Sequence, residues 1–488
     1  MKLDYLFSSY LWETIEDTRE FSGTITCDST YAPIEVEKNI RVIQVGRDEK
    51  YNLYVNAEGI VASSSIIHEI NEVPSGKILN GGTIVCNTDF EGVVTLRHCI
   101  SKGYTMHYKT NGEREFEAPF LVYEINWNRK YEEEKADTLI EWYLNGVKDS
   151  LLFCDVSNVN DKVSRKILRV GLEVHDLCDV QEQYSTDCVY IEFNDTGVLV
   201  RKVAKECGPA WSNNIALEYR NIYGRIPDKE EREKIAELLG FLMGRHLILV
   251  GDTAYCKDVV IESNMYHPHS KNTVAECSSN TRELIPVHQY HNERNNFRLF
   301  AQKLLPFYLE LRDTYSIGAV LERYWLANIM PIGVNLPILA GALETLMKSW
   351  FKGKKSKTKG VYIEAKKYEQ AIQEFKALVE EALKDCEYKR NILNKISNAY
   401  QMGVNDRYYI FLEELGLEYG LAEEACIKAR NAFTHGDSGM EVEDTLHKTR
   451  TMYILIGRVL LKLLDYDGIY IDETLPNFPR KKITEKIN

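Results

Sequence analysis

Residues 430–435 read RNAFTH and bring an arginine, an asparagine and a histidine close together in the chain. A guanidinium neutralises a phosphate through paired hydrogen bonds, and an imidazole takes up or releases a proton near neutral pH. An amide such as that of Asn431 can orient the phosphate or the imidazole. Together these side chains suit cleavage of a phosphodiester, with Arg430 on the phosphate and His435 moving protons.

The spacing of these residues predicts where they meet. Residues 420–437, GLAEEACIKARNAFTHGD, have apolar residues in steps of three and four, which is typical of an amphipathic helix, here ended by Gly436. Asn431 and His435 are four apart and share a face, whereas Arg430 and His435 lie about 140° apart around the axis. We therefore expect the three to converge only on a ligand beyond the helix end.

The sequence places no acidic residue one turn before or after Arg430 on its own helix. Glu344 is a candidate partner, because it falls on one line with Ala340 and Met347 in a helix predicted at 336–351. An unpaired charge in an apolar stripe is costly, so we predict that the two helices meet and that Glu344 supports Arg430. A Glu344–Arg430 salt bridge with a purely structural role fits the same spacing.

A lysine-rich segment, KGKKSKTKG at 352–360, follows that helix and contains no acidic residue. Two interpretations stay open: a solvated loop between helices, or a patch that contacts the phosphates of a nucleic acid. The lysines predicted to bind RNA under the second interpretation are Lys354, Lys355, Lys357 and Lys359.

Composition limits the classes of function. The chain has 488 residues and a formal net charge of −13, which argues against broad electrostatic coating of nucleic acid and allows a local basic site. Eleven cysteines without a CxxC pair predict reduced thiols and a cytoplasmic protein. Arg458 and Lys462 interrupt the longest late apolar run, so we expect no membrane span, and the N-terminus is a poor fit to a secretory signal.

The pattern along the chain predicts an α+β protein of two domains. Short β-branched and aromatic runs from about 21 to 277 predict a β-rich, sandwich-like domain over 1–290, with a hairpin at 104–116 that turns at Asn111-Gly112. One helix near 228–243 interrupts it, with Asp228 as its N-cap. From about 292 the period lengthens, and helices at 294–312, 336–351, 365–385 and 444–464 predict an all-α domain over 291–488.

Metal and cofactor chemistry find little support in the sequence. His267 and His269, with Cys256 and Cys277 on either side, lack the ligand spacing of a zinc site, and we expect loop histidines there. The chain contains no phosphate-binding loop, dinucleotide fingerprint or hydrolase elbow. We expect no metal and no cofactor.

The segment at 430–435 resembles the RxxxxH motif of HEPN-domain ribonucleases, in which a polar residue often follows the arginine. A β-rich half before an all-helical half looks most like the ApeA-type anti-phage HEPN proteins. The resemblance implies a C-terminal HEPN helical bundle with Arg430, Asn431 and His435 at the catalytic site. It also implies a homodimer through the helical domain, because HEPN ribonucleases use a composite cleft between two copies.

The resemblance implies a metal-independent endoribonuclease that leaves 2′,3′-cyclic phosphate ends. Its target would be tRNA, its setting an abortive defence against phage, and its N-terminal domain the sensor of a phage-derived trigger. Two other interpretations remain. One is a non-catalytic HEPN-type interaction or dimerisation module in a defence or signalling complex. The other is a β-domain ligand-binding protein with a helical dimerisation tail.

Overall fold

A computed structural model describes residues 19–28, 30–62, 80–88, 92–129, 135–147, 153, 155–159, 164–167, 172–175, 184–203, 213–257, 259–269, 284, 286, 296–434 and 441–487. For 155–159, 164–167, 172–175, 184–187, 296 and 430–434 it describes the backbone alone.

The chain divides into two compact units, an antiparallel β unit followed by a helical one, which confirms the α+β organisation. The first unit is Met1–Leu284 with Gln289–Pro306, and the second is Ile285–His288 with Phe307–Asn488. The division near residue 306 therefore falls later than the predicted boundary at 290/291, and it falls inside a helix.

The strands of the first unit are β1 Arg19–Ser22, β2 Thr24–Asp28, β3 Ile40–Arg47, β4 Leu53–Val61, β5 Gly82–Asn87, β6 Val93–Ser101, β7 Thr105–Tyr108, β8 Arg114–Leu121, β9 Glu124–Asn128, β10 Thr138–Leu144, β11 Asp155–Val159, β12 Ser164–Ile167, β13 Leu172–His175, β14 Tyr184–Phe193, β15 Thr196–Lys202, β16 Ile215–Arg220, β17 Ile248–Cys256 and β18 Val259–Tyr266. Its helices are α1 Ile34–Glu37 and α2 Lys229–Met243.

The strands form two sets. One set has the order β1-β3-β4-β8-β7. The other has the order β2-β5-β6-β9-β18-β17-β10-β16-β15-β14-β11-β12-β13. Buried residues of both sets share one hydrophobic core, in which the rings of Phe21 and Trp127 meet edge to face at 6.1 Å. Alternation produces this core: along β4, every second residue is buried.

The hairpin and the helix predicted within this unit are both present. β7 pairs with β8, but the turn between them is longer than a two-residue Asn-Gly turn. Lys109 N–H donates to the Glu113 carbonyl at 2.9 Å, and among the turn residues only Gly112 has a positive φ, 85°. The Asp228 carboxylate accepts from Glu231 N–H at 2.9 Å, which confirms the predicted N-cap of α2.

The second unit is built from helices. The four long segments predicted from the apolar period are confirmed to within a few residues, because a long periodic run leaves little ambiguity. The helices are α3 Asn296–Leu311, which contains the division at 306, α4 Ile317–Ile329, α5 Asn335–Lys352, α6 Ala365–Ala382, α7 Lys389–Ser397, α8 Val404–Glu414, α9 Leu421–Thr434 and α10 Val442–Leu463, followed by the strand pair β19 Ile469–Ile471 and β20 Arg480–Lys482.

The core of the second unit lies between α4, α5 and α10, and α9 packs against both α5 and α10. Helices α6 and α7 contain no buried residue. Among the helices that the structure describes, none is both long and apolar enough to cross a membrane.

Candidate functional site

Helix α9 carries the sequence-predicted site. Its backbone is helical from Leu421 to Thr434, so Arg430 and Asn431 lie in a helix as expected. Their side chains are outside what the structure describes, and His435 lies outside the described residues altogether. The last helical residue, Thr434, is the one directly before His435 in the chain.

The buried face of α9 runs toward Arg430. Glu423, Cys426 and Ile427 are almost fully buried. Position 430 follows position 426 by four and position 427 by three, so the Arg430 backbone lies one turn further along that same face. Burial raises the pKa of the Cys426 thiol to about 12, against an opposing hydrogen bond from Thr451. This thiol is therefore protonated at neutral pH and is no candidate nucleophile.

A buried ion pair holds the start of α9. Arg458 of α10 donates to the Glu423 carboxylate at 2.8 Å, and the two side chains are 1% and 0% exposed. The same guanidinium donates to the carbonyls of Glu418, Ile483 and Thr484 at 3.0–3.2 Å. Glu423 in turn accepts from the N–H groups of Gly420 and Ile487. This network fixes α9 on α10 and on the segment after β20.

Glu344 is not the buried, unpaired carboxylate that the sequence predicts. It lies on α5 with 37% of its side chain exposed, and Lys348 one turn later pairs with it at 2.6 Å. Lysine at i+4 meets the need that was assigned to Arg430. The predicted meeting of the two helices is confirmed, since α5 and α9 pack together.

The lysine-rich segment forms a loop with a defined anchor, the carboxylate of Glu414 at the end of α8. Glu414 accepts from Trp350 Nε1 at 2.6 Å, from the N–H groups of Lys357 and Thr358 at 3.1 and 2.9 Å, and from the Thr358 hydroxyl at 3.0 Å. Burial raises the pKa of Glu414, but these hydrogen bonds and one from Ser356 outweigh it, so the pKa lies below its ordinary value.

The side chains of this loop point outward. The four lysines predicted to bind RNA, Lys354, Lys355, Lys357 and Lys359, are all exposed. The loop backbone is held by Glu414 at one end and at the other by the Val361–Gln401 bridge, with Tyr362 N–H donating to the Tyr400 carbonyl at 2.9 Å. The loop therefore presents a cluster of cations from a held backbone.

A pocket of about 290 Å³ lies beside this loop. The end of α5 supplies Lys348, Phe351 and Lys352 to its wall, and α8 supplies Arg407. Sequence reasoning missed Arg407, Tyr400 and Glu414, because they are about fifty residues from the loop and no local spacing connects them. Only the folding of the loop back toward α8 brings them to it.

His267 and His269 lie in the first unit. The His267 ring is buried, 5.0 Å from the ring of Tyr123 and 5.5 Å from that of His269. Burial, followed by the charges of His269 and Arg47, lowers its pKa to about 4. Within the described ranges no three His, Cys, Asp or Glu side chains group around a possible metal position. Cys277 is outside the described residues.

No protein-family model, curated protein or solved structure matches the chain. The residues themselves therefore carry the functional argument.

Proposed function

We propose that the chain is a metal-independent endoribonuclease of the HEPN type, with Arg430, Asn431 and His435 as its catalytic residues. The observation that carries this proposal is the position of RNAFTH at the end of α9, within a helical unit and one turn beyond a buried face. The exposed lysines of the 353–360 loop add a local basic surface on a chain whose net charge is negative.

The chemistry uses the nucleophile that RNA supplies. The 2′-hydroxyl attacks the phosphorus and gives up its proton to a base, while the 5′-oxygen leaves and takes a proton from an acid. This produces a 2′,3′-cyclic phosphate and a 5′-hydroxyl. The Arg430 guanidinium neutralises the phosphate, and the Asn431 amide orients it.

Two proton transfers call for two imidazoles or for one that serves twice. In a two-fold homodimer through the helical unit, two copies of Arg430 and His435 meet around one phosphate, since an isologous interface repeats every contact. We further propose that the helical unit is a HEPN bundle and that the two strand sets of the first unit form a sandwich. In this proposal the first unit senses a phage-derived trigger, and the enzyme cuts tRNA in the cytoplasm in an abortive defence.

The test is cleavage of total tRNA by the purified chain in EDTA, compared with Arg430→Ala, His435→Ala and the control Lys428→Ala. Lys428 lies on the same helix, is exposed and pairs with Glu424 at 2.8 Å, so its removal leaves the proposed chemistry intact. We expect cleavage by the unmodified chain and by Lys428→Ala, loss in the other two variants, and cyclic phosphate at the cut ends.

Two results would contradict the proposal. One is cleavage that persists in folded Arg430→Ala and His435→Ala protein. The other is absence of tRNA cleavage by the unmodified chain even with lysate of phage-infected cells, which would favour a non-catalytic interaction module.

A further inference from the structure

The pocket between the end of α5, the 353–360 loop and α8 has a cationic wall. Lys348, Lys352, Lys359 and Arg407 line it, and no carboxylate is among its described lining residues. Lys348 is neutralised by Glu344 at 2.6 Å. The Lys359 ammonium donates to the Gly353 carbonyl, which leaves its charge in place. The pocket therefore favours an anion.

Arg407 is the most specific member of this wall. Its Nε is buried and has no hydrogen-bond acceptor within the part of the chain that the structure describes. Buried donors of this kind normally have a partner. Gly360, with a φ of 73°, brings the loop backbone against Arg407, since a Cβ at this position would lie 3.6 Å from Nε. The guanidinium is thus held at the pocket with a donor to spare.

The opposite requirement, an apolar platform, is also met. Phe351 and Tyr400 both line the pocket and are half-buried, so their rings are partly open to it. Aromatic rings beside cations are the usual means of holding a base and its phosphate together. A volume of about 290 Å³ is at the lower end of small-molecule sites and suits one nucleotide unit rather than several.

We propose that this pocket binds one nucleotide unit, with the phosphate on Arg407 and Lys352 and the base against Phe351 and Tyr400. That the unit belongs to an RNA strand, as an anchoring subsite apart from the cleaved phosphate, rests on the proposed ribonuclease function. A free mononucleotide shares the same chemistry, and the experiment separates the two sources.

The experiment measures binding of AMP, adenosine and inorganic phosphate to the full chain by calorimetry, and of a ten-nucleotide RNA by fluorescence anisotropy. The variants are Arg407→Gln, Lys352→Gln and Phe351→Leu, with Lys366→Gln as the control, an exposed lysine of α6 that does not line the pocket. Loss of a charge-assisted contact predicts affinity about tenfold lower for AMP and RNA in Arg407→Gln. Lys352 is exposed, so its variant folds even if Arg407→Gln does not.

Phe351→Leu should weaken AMP and leave inorganic phosphate unchanged, because only the base uses the ring. Weaker RNA binding in the pocket variants supports the RNA source, and weaker AMP binding alone supports a free nucleotide. Equal affinity for phosphate and AMP, or AMP and RNA affinities that match those of Lys366→Gln in all pocket variants, overturns the inference. Neither result touches cleavage by Arg430 and His435, so this inference and the proposed function can fail separately.

Discussion

The pair formed by Arg458 and Glu423 should dominate the local stability around α9. Both side chains are almost fully buried, so Arg458→Met leaves the Glu423 carboxylate in a low-dielectric site without its cation. Removing one partner of a buried pair costs about 3–5 kcal/mol. The change also removes the donor to the carbonyls of Glu418, Ile483 and Thr484.

Hydrogen exchange at single amides measures this effect where it acts. Ile487 N–H donates to Glu423 at 2.8 Å, and Ile483 N–H donates to the Gly468 carbonyl at 2.9 Å. A loss of about 3–5 kcal/mol in the free energy of opening corresponds to exchange faster by roughly two to four orders of magnitude at these amides. The amides of β4, in the first unit, should be unchanged.

A double-mutant cycle separates the charge from the packing. Glu423→Gln keeps an acceptor for Ile487 N–H while removing the charge, so Glu423→Gln with Arg458→Met should lose less than the sum of the two single changes. Lys428→Ala, which removes an exposed pair on the same helix, is the control and should not alter exchange. Additive losses, or a single-variant effect below about 1 kcal/mol, would refute the reasoning that the buried charges depend on each other.

The other predictions concern titration and the loop. The pKa of His267, about 4 when folded against an ordinary 6.5, means that the unfolded chain binds its proton first; stability falls as pH drops from about 6.5 to 4, and His267→Phe should flatten that slope in urea titrations. The pKa of Glu414 is lowered, so its stabilising effect is present above the ordinary 4.5 and lost below it; Glu414→Gln should speed exchange of the loop amides at neutral pH, which unchanged protection would contradict. Removing lysines that contact RNA phosphates should reduce the slope of log affinity against log salt by about 0.7 per contact, with an unchanged slope returning them to a solvated loop, in a variant that carries serine at Lys354, Lys355, Lys357 and Lys359.

The sequence predicts most of the fold because periodicity and capping are local. The run at 444–464 became α10, and Asp228 caps α2 as expected. The run APFLVYEINW, in contrast, contributes to both β8 and β9, which continue into different strand sets. No local pattern separates one bent strand from two, because both alternate in the same way.

The candidate site was predicted less completely. Arg430 and Asn431 are on a helix as predicted, but Glu344 found its partner in Lys348 on its own helix rather than across the interface. The pocket beside the lysine loop depends on Glu414 and Arg407, whose distance along the chain hides their proximity in space. Local sequence reports which residues can do chemistry, whereas tertiary contacts decide which of them meet.

Helices α6 and α7 bury no residue, and Phe375 and Leu378 on α6 are 54% and 71% exposed. Little apolar area is hidden when this pair folds onto its surroundings, so it opens at a lower free-energy cost than α10 does. A protease that cuts after lysine should therefore nick the folded protein first in this pair, while α9 and α10 remain intact. The two fragments would be expected to stay associated, because the core of the second unit lies elsewhere.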